Sequence, residues 1–538
     1  MATLADLIRV FGTTQPVEKA IHFSVGPLRA EFKNGNLSAI TYQGVEVLRG
    51  ISYLVRDENW GTCPAQIGRI AKSKSKGSLK LSYSATVSHG ACRLRWKASI
   101  ILKSDALEFT ATATPDKDFK TNRTGFVILH PIDGVAGKPL IVTHVDGTTR
   151  RERFPKLISP GQPFFSIRAL EHRPAAGLSA RVEMRGPKFE MEDQRNWSDA
   201  SFKTYVCSLL DPWPYVLRGG ETFTQCVSLR IKGVLQSRGA ASKRPSAAKL
   251  RLPRLGLAIS PGDAGETLGH IKQLRNLNPD FISCFCDATT SEAVLKNYAQ
   301  LAQEAHLPVT LELVLPGKLS ADKEVEEFEN ALANAGLFPS SVVITQAQDL
   351  ISYQPSDQRP WGPAYEDMAG AARKHFPKAS IGGGMISYFT ELNRKRPPQG
   401  LFDFITHCIC PIVHDGSDAA VMQTLETLPH IFASARAIIG KAPYHLGPTT
   451  IAARMNPYGA AVAPNPKNHR ICLAPNDPRQ FGTFAVAWNK GLIEASARAG
   501  IESVTLGGLC GPRGILDAKG HPTPLFNYVQ SLQQRKQG

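Results

Sequence analysis

Apolar and polar positions alternate with a period of two through much of the stretch from residue 20 to residue 234, in runs such as 37–42, 79–83, 93–97 and 106–112. Successive side chains of a strand point to opposite faces, so such runs predict half-buried antiparallel strands. Gly, Asn, Asp and Pro punctuate them at intervals of about ten residues with no long helical periodicity between, and this predicts a β-sandwich. From Arg254 the pattern changes to short continuous apolar runs at 255–259, 281–286, 309–315, 341–345, 380–385, 402–410, 444–447 and 503–506. Segments of helical period separate them, among them 291–306, 323–335, 418–438 and 481–500. Eight strands buried on both faces, with helices between them, predict a (β/α)8 TIM-type barrel. The connection after the seventh run, 448–477, is long and rich in Pro and Asn; a long loop of this kind is expected to serve the active face.

Composition adds a boundary and removes several function classes. Residues 236–253 are mostly Ser, Ala, Lys, Arg and Pro, too poor in apolar surface to order themselves. The expected division is a sandwich at 1–235, a basic linker at 236–253, a barrel at 254–511 and a short tail at 512–538. A chain of 538 residues exceeds one ordinary core, and 42% hydrophobic with 20% charged residues is a globular balance. Residues 1–17 hold no apolar run with a cleavage site, and no window approaches the roughly 18 apolar residues of a spanning helix. A cytoplasmic protein with no membrane partner is expected. The ten cysteines lie mostly inside apolar runs, as reduced, buried thiols do. Net charge is +17, but the basic residues are scattered. The one dense cluster (Arg230, Lys232, Arg238, Lys243, Arg244, Lys249, Arg251, Arg254) falls largely in the linker without interleaved aromatics, which argues against a nucleic-acid partner.

The densest chemistry lies at 189–205. Phe189 and Met191 alternate with Glu190 and Glu192, a turn-like Asn196-Trp197-Ser198-Asp199 follows, and a second alternating run passes through Phe202, Lys203 and Tyr205. A structural salt-bridge network would account for such a mixture, but the aromatic company favours a site. This stretch resembles the signature of the D-apionate lactonase family, sugar-lactone hydrolases of branched-pentose catabolism. Further blocks agree in order: 56–62, 123–131, 143–147, 154–160, 388–394 and 477–480. The resemblance implies a mutarotase-like β-sandwich, a TIM-type barrel and usually a small C-terminal β domain, most of which the 512–538 tail is too short to supply. It also implies a small-molecule sugar lactone as substrate; the oligomeric state stays open.

Opening a cyclic ester requires an attacking water or nucleophile, a base, and donors for the oxyanion. Neither a G-x-S-x-G elbow nor an H-E-x-x-H pair is written here, which leaves general-base catalysis on water or a metal-activated water. Candidate catalytic groups are Glu190 and Glu192 in the signature, Glu391 after the fifth barrel run, and His414 after the sixth, with Asp415 beside it to orient the ring. Candidate substrate contacts are Asp193, Arg195, Asn196, Asp199, Lys203, Asn393, Arg394, Arg454 and His130. Each has a plainer reading: a helix cap or surface ion pair for the barrel residues, a satisfied core ring for His130. No cofactor is required, although His144 and Asp146, two apart on one strand, suit a divalent metal. The expected function is hydrolysis of a D-apionolactone-like sugar lactone at a cleft between sandwich and barrel. Alternatives are a glycoside hydrolase pairing Glu312 or Glu391 with an acid of the signature, and a non-catalytic carbohydrate binder.

Overall fold

A computed structural model describes residues 3–236, 251–459 and 461–537; most of the expected linker lies outside the described residues. The chain divides into two compact units. One holds 17–194 and 201–236, the other 3–16, 195–200 and 251–537.

The first unit is a 17-stranded antiparallel sheet. Its long strands Ser78–His89, Cys92–Lys103 and Ala106–Pro115 bury alternate residues, as the period of two requires. The inward positions carry the packing, with Phe126 edge-on to Phe109 at 4.9 Å and to Tyr53 at 5.2 Å. Two strands depart from this rule. Phe189–Asp193 and Ser201–Val206 pair with each other in antiparallel register and are buried at every position, so the alternation of Glu190 and Glu192 with apolar residues marks two buried faces.

The second unit is an eight-stranded parallel sheet, Arg254–Ile259, Phe281–Cys286, Val309–Leu315, Ser341–Gln346, Ser380–Tyr388, Phe404–Cys408, His445–Leu446 and Ser503–Leu506. Single parallel bridges, Ile405 to Tyr444 and Ile409 to Thr449, join the sixth strand to the seventh and leave a nearly closed barrel. Helix starts are set by serine caps: Ser291, Ser320 and Ser417 each accept the amide three residues on, relieving one of the unpaired donors of a first turn. The seventh strand is shorter than expected, only two residues, and the chain after it runs on without regular structure to the 3-10 turn Pro478–Phe481. There Arg479, fully buried, binds Asp477 at 2.7 Å and Asp418 at 3.1 Å, so the Asp477–Gln480 block is a structural lock on the long loop. The N-terminal residues form a helix, Leu4–Phe11, whose Phe11 meets Phe484 at 5.8 Å. The C-terminal residues form another, Pro524–Gln537. All ten cysteines are free thiols, eight of them buried.

Candidate functional site

Six residues of the signature, 195–200, belong to the same compact unit as the barrel. They are held there at several points. The Thr390 hydroxyl donates to the Asn196 carbonyl at 2.7 Å, and Asn393 Nδ2 donates to Asn196 Oδ1 at 2.8 Å. Arg195, fully buried, lies 3.0 Å from His430 Nδ1. Trp197 presents its ring edge to His414 and Tyr458, while the Arg394 guanidinium lies over its face at 5.3 Å.

Asp199 and His414, 215 residues apart, meet at 2.6 Å between a carboxylate oxygen and Nδ1. Both side chains keep some solvent access, 16% and 24%. The acid that holds the ring is therefore Asp199. Asp415, expected in that role from adjacency, instead accepts the Ser417 amide and shapes the turn into helix Asp418–Ile439. With Nδ1 committed to the carboxylate, Nε2 has no partner among the described residues and can exchange a proton with a bound molecule.

The other candidates have partners of their own. Glu391 sits in the first turn of the short helix Phe389–Arg394 with no exposed surface. Lys395 Nζ approaches it at 2.8 Å, a contact of charge without aligned hydrogen bonds. Burial pulls the Lys395 ammonium below its ordinary value although Glu391 works the other way; the ammonium donates to the Asp349 and Ile351 carbonyls. Arg394 donates to Ser352 Oγ at 3.0 Å and Asn393 accepts from Arg396 at 2.8 Å. Arg454, after the seventh strand, grips Glu312 of the third strand with both terminal nitrogens. Burial opposes its charge, but Glu312 holds the guanidinium above its ordinary value. These two line a cavity at the C-terminal ends of the strands, together with Ser260, Asp263, Phe285 and Arg513. Glu312 was legible as a charge inside an apolar strand; Arg513 and Tyr458 carried no local signal.

In the sheet unit, Glu190 is fully buried and accepts from the Tyr205 hydroxyl at 2.5 Å, the Ser208 hydroxyl at 2.5 Å and the Leu209 amide at 2.9 Å. Glu192 pairs with Lys203 at 2.6 Å. Burial, and after it the neighbouring Arg123 and Arg56, pull the Lys203 ammonium down, while Glu192 opposes them. Arg123 stacks over Tyr205 at 3.7 Å, and Asp193 accepts the Ser159 amide. His130 is fully buried, 3.1 Å from the Thr204 hydroxyl and edge-on to His172; burial first, then His172, holds it well below the ordinary histidine value. This is the environment of a core ring. His144 Nδ1 binds the Phe165 carbonyl, and Asp146 caps its own turn through Thr148. Among the described residues, ligand atoms suited to a metal cluster in two other trios: Asp57, Cys63 and His89, and Glu266, His270 and Cys510.

Two family models cover the chain: the D-apionate lactonase N-terminal domain at residues 8–234 and its TIM barrel domain at 255–537. A D-apionate lactonase of Brucella anthropi is 41% identical over 98% of this chain and 89% of its own length. Among solved structures, an aldose 1-epimerase-like protein of Escherichia coli aligns with 40% of this chain and 99% of its own, at 14% identity and a TM-score of 0.27. A GH36 α-galactosidase of Geobacillus stearothermophilus aligns with 96% of this chain and 86% of its own, at 11% identity and a TM-score of 0.28. Those two likenesses are too loose to carry a statement about the site. The near full-length relative and the paired domain models are not: this chain belongs to the D-apionate lactonase family.

Proposed function

We propose that this protein hydrolyses the ring ester of a sugar lactone to the open sugar acid, with His414 as the base that activates water. The family supplies the reaction class, and a lactone of the D-apionolactone type is the substrate it favours. The observation that supports His414 is its Nδ1 contact with Asp199 at 2.6 Å, which fixes the tautomer and leaves Nε2 as the acceptor of a proton. Water adds to the lactone carbonyl carbon as its proton passes to Nε2. The tetrahedral oxyanion then collapses, the ring C–O bond breaks, and the imidazolium returns its proton to the departing alkoxide. The sugar acid ionises, so one proton is released per turnover. Asp199 stabilises the imidazolium while it exists.

In this reading Glu190, Glu192 and Glu391 have structural roles within their own units, since each is engaged by hydrogen-bond donors or a lysine. The candidate base lies wholly within the barrel-bearing unit. We read the sheet unit as a mutarotase-like sandwich, which the alternate burial of its long strands favours. Proton release from a panel of aldonolactones, with and without chelator, tests the reaction. His414→Gln is expected to abolish most turnover with folding intact, while Glu192→Gln keeps a larger share. Unchanged turnover in folded His414→Gln would remove the base from this assignment.

A further inference from the structure

The barrel cavity is lined by a cation, Arg513, that makes no side-chain hydrogen bond or ion pair among the described residues. Arg513 follows the eighth strand, and its backbone carbonyl accepts the Gly508 amide at 3.1 Å and Gln480 Nε2 at 3.3 Å, which fixes the loop that carries it. Its guanidinium donates no hydrogen bond and forms no ion pair among the described residues. Neither acid that lines the cavity, Asp263 or Glu312, forms an ion pair with it, although the Asp263 charge partly compensates it. Glu312 takes both terminal nitrogens of Arg454, and the Asp263 carboxylate takes the Ser260 hydroxyl. Burial, followed by the like charge of Arg454, weighs on the Arg513 guanidinium and leaves it below its ordinary value despite Asp263. An anion placed on it would relieve that cost.

The shape of the group narrows the ligand. A guanidinium is a planar fork that meets the two oxygens of a carboxylate in parallel. The loops after strands seven and eight are also where barrels of this kind gather anions. We infer that Arg513 is a binding residue for the carboxylate of a sugar acid in the barrel cavity, a ligand whose identity rests on the lactonase reading. A cavity that grips a carboxylate in this way selects acids over neutral polyols of the same length.

Calorimetric titration of the full chain with sodium D-erythronate, and with erythritol as the neutral comparison, tests this without any turnover. Erythronate is expected to bind, erythritol to bind at least about tenfold more weakly, and added salt to weaken only the former. Arg513→Gln should lose at least about tenfold in erythronate affinity with no fall in melting temperature. Arg513→Lys, which keeps the charge but not the fork, should lose several-fold. Wild-type affinity in either variant, equal binding of the polyol, or no erythronate binding to the wild type overturns the inference. Aldonate binding through Arg513 in a protein that hydrolyses no lactone would refute the proposed function and leave this site standing.

Discussion

Asp199→Asn is the sharpest perturbation of the proposed base. It keeps size and shape but removes the negative charge 2.6 Å from His414 Nδ1, so it weakens the imidazolium that forms as water is deprotonated. With an effective dielectric of about 20 and charge centres about 4 Å apart, the attraction is roughly 4 kcal/mol. Both side chains retain some exposure, and screening leaves about 2 kcal/mol of this. That corresponds to a fall of about 30-fold in kcat with little change in KM. Initial rates of proton release from a five-carbon aldonolactone, measured across neutral pH, read the effect directly. Because the two residues act as one device, the Asp199→Asn/His414→Gln double variant should be no slower than His414→Gln alone. Losses that multiply in the double variant, or a full rate in folded Asp199→Asn, would refute the reasoning.

Three further outcomes follow from the buried ionisable groups. Glu391→Gln strands the Lys395 ammonium without its counter-charge and should cost about 3–5 kcal/mol; a variant that melts with the wild type would show that the Asp349 and Ile351 carbonyls suffice. Glu190→Gln replaces a carboxylate that accepts three donors with an amide that has one acceptor oxygen, so a loss of about 1–3 kcal/mol is expected as a lower urea midpoint at constant slope. Burial pushes His172 down to about 4. An unfolded chain, titrating near 6.5, binds more protons than the native state between these values, so stability falls as pH drops through that window. The loss is about 2 kcal/mol between about pH 7 and 5. His172→Leu should flatten that part of the pH–stability curve, and an unchanged slope would contradict the assignment.

The elements were legible because hydrophobic period is a local property. Strands Phe281–Cys286 and Val309–Leu315 fall where the apolar runs stand, and helix Glu292–Ala305 begins after the Ser291 that was read as its start. Two strands were misjudged for a physical reason. A period of two places Glu190 and Glu192 on the face opposite Phe189 and Met191 but does not say whether that face meets water, and Phe189–Asp193 is buried throughout. The seventh strand, expected over four residues, keeps two, its neighbours being held by single bridges to the sixth strand and by loop contacts.

The pairings of the site were of another kind. Asp199 and His414 were each visible as chemistry, yet adjacency pointed to Asp415, which spends itself on a turn. Glu391 emerges after a barrel strand, as a mouth residue does, but the short helix Phe389–Arg394 turns it into the interior beside Lys395. Arg513 carried no signal, because an arginine without a side-chain partner among the described residues differs from a paired one only in what surrounds it. The sequence by itself determined the two-domain division, the barrel and the family, since these depend on period, composition and ordered blocks of residues. Only the tertiary structure decided which charges meet and which are silenced by burial. A charge acts over a few ångströms, and residues that far apart in space are separated here by up to 215 positions in the chain.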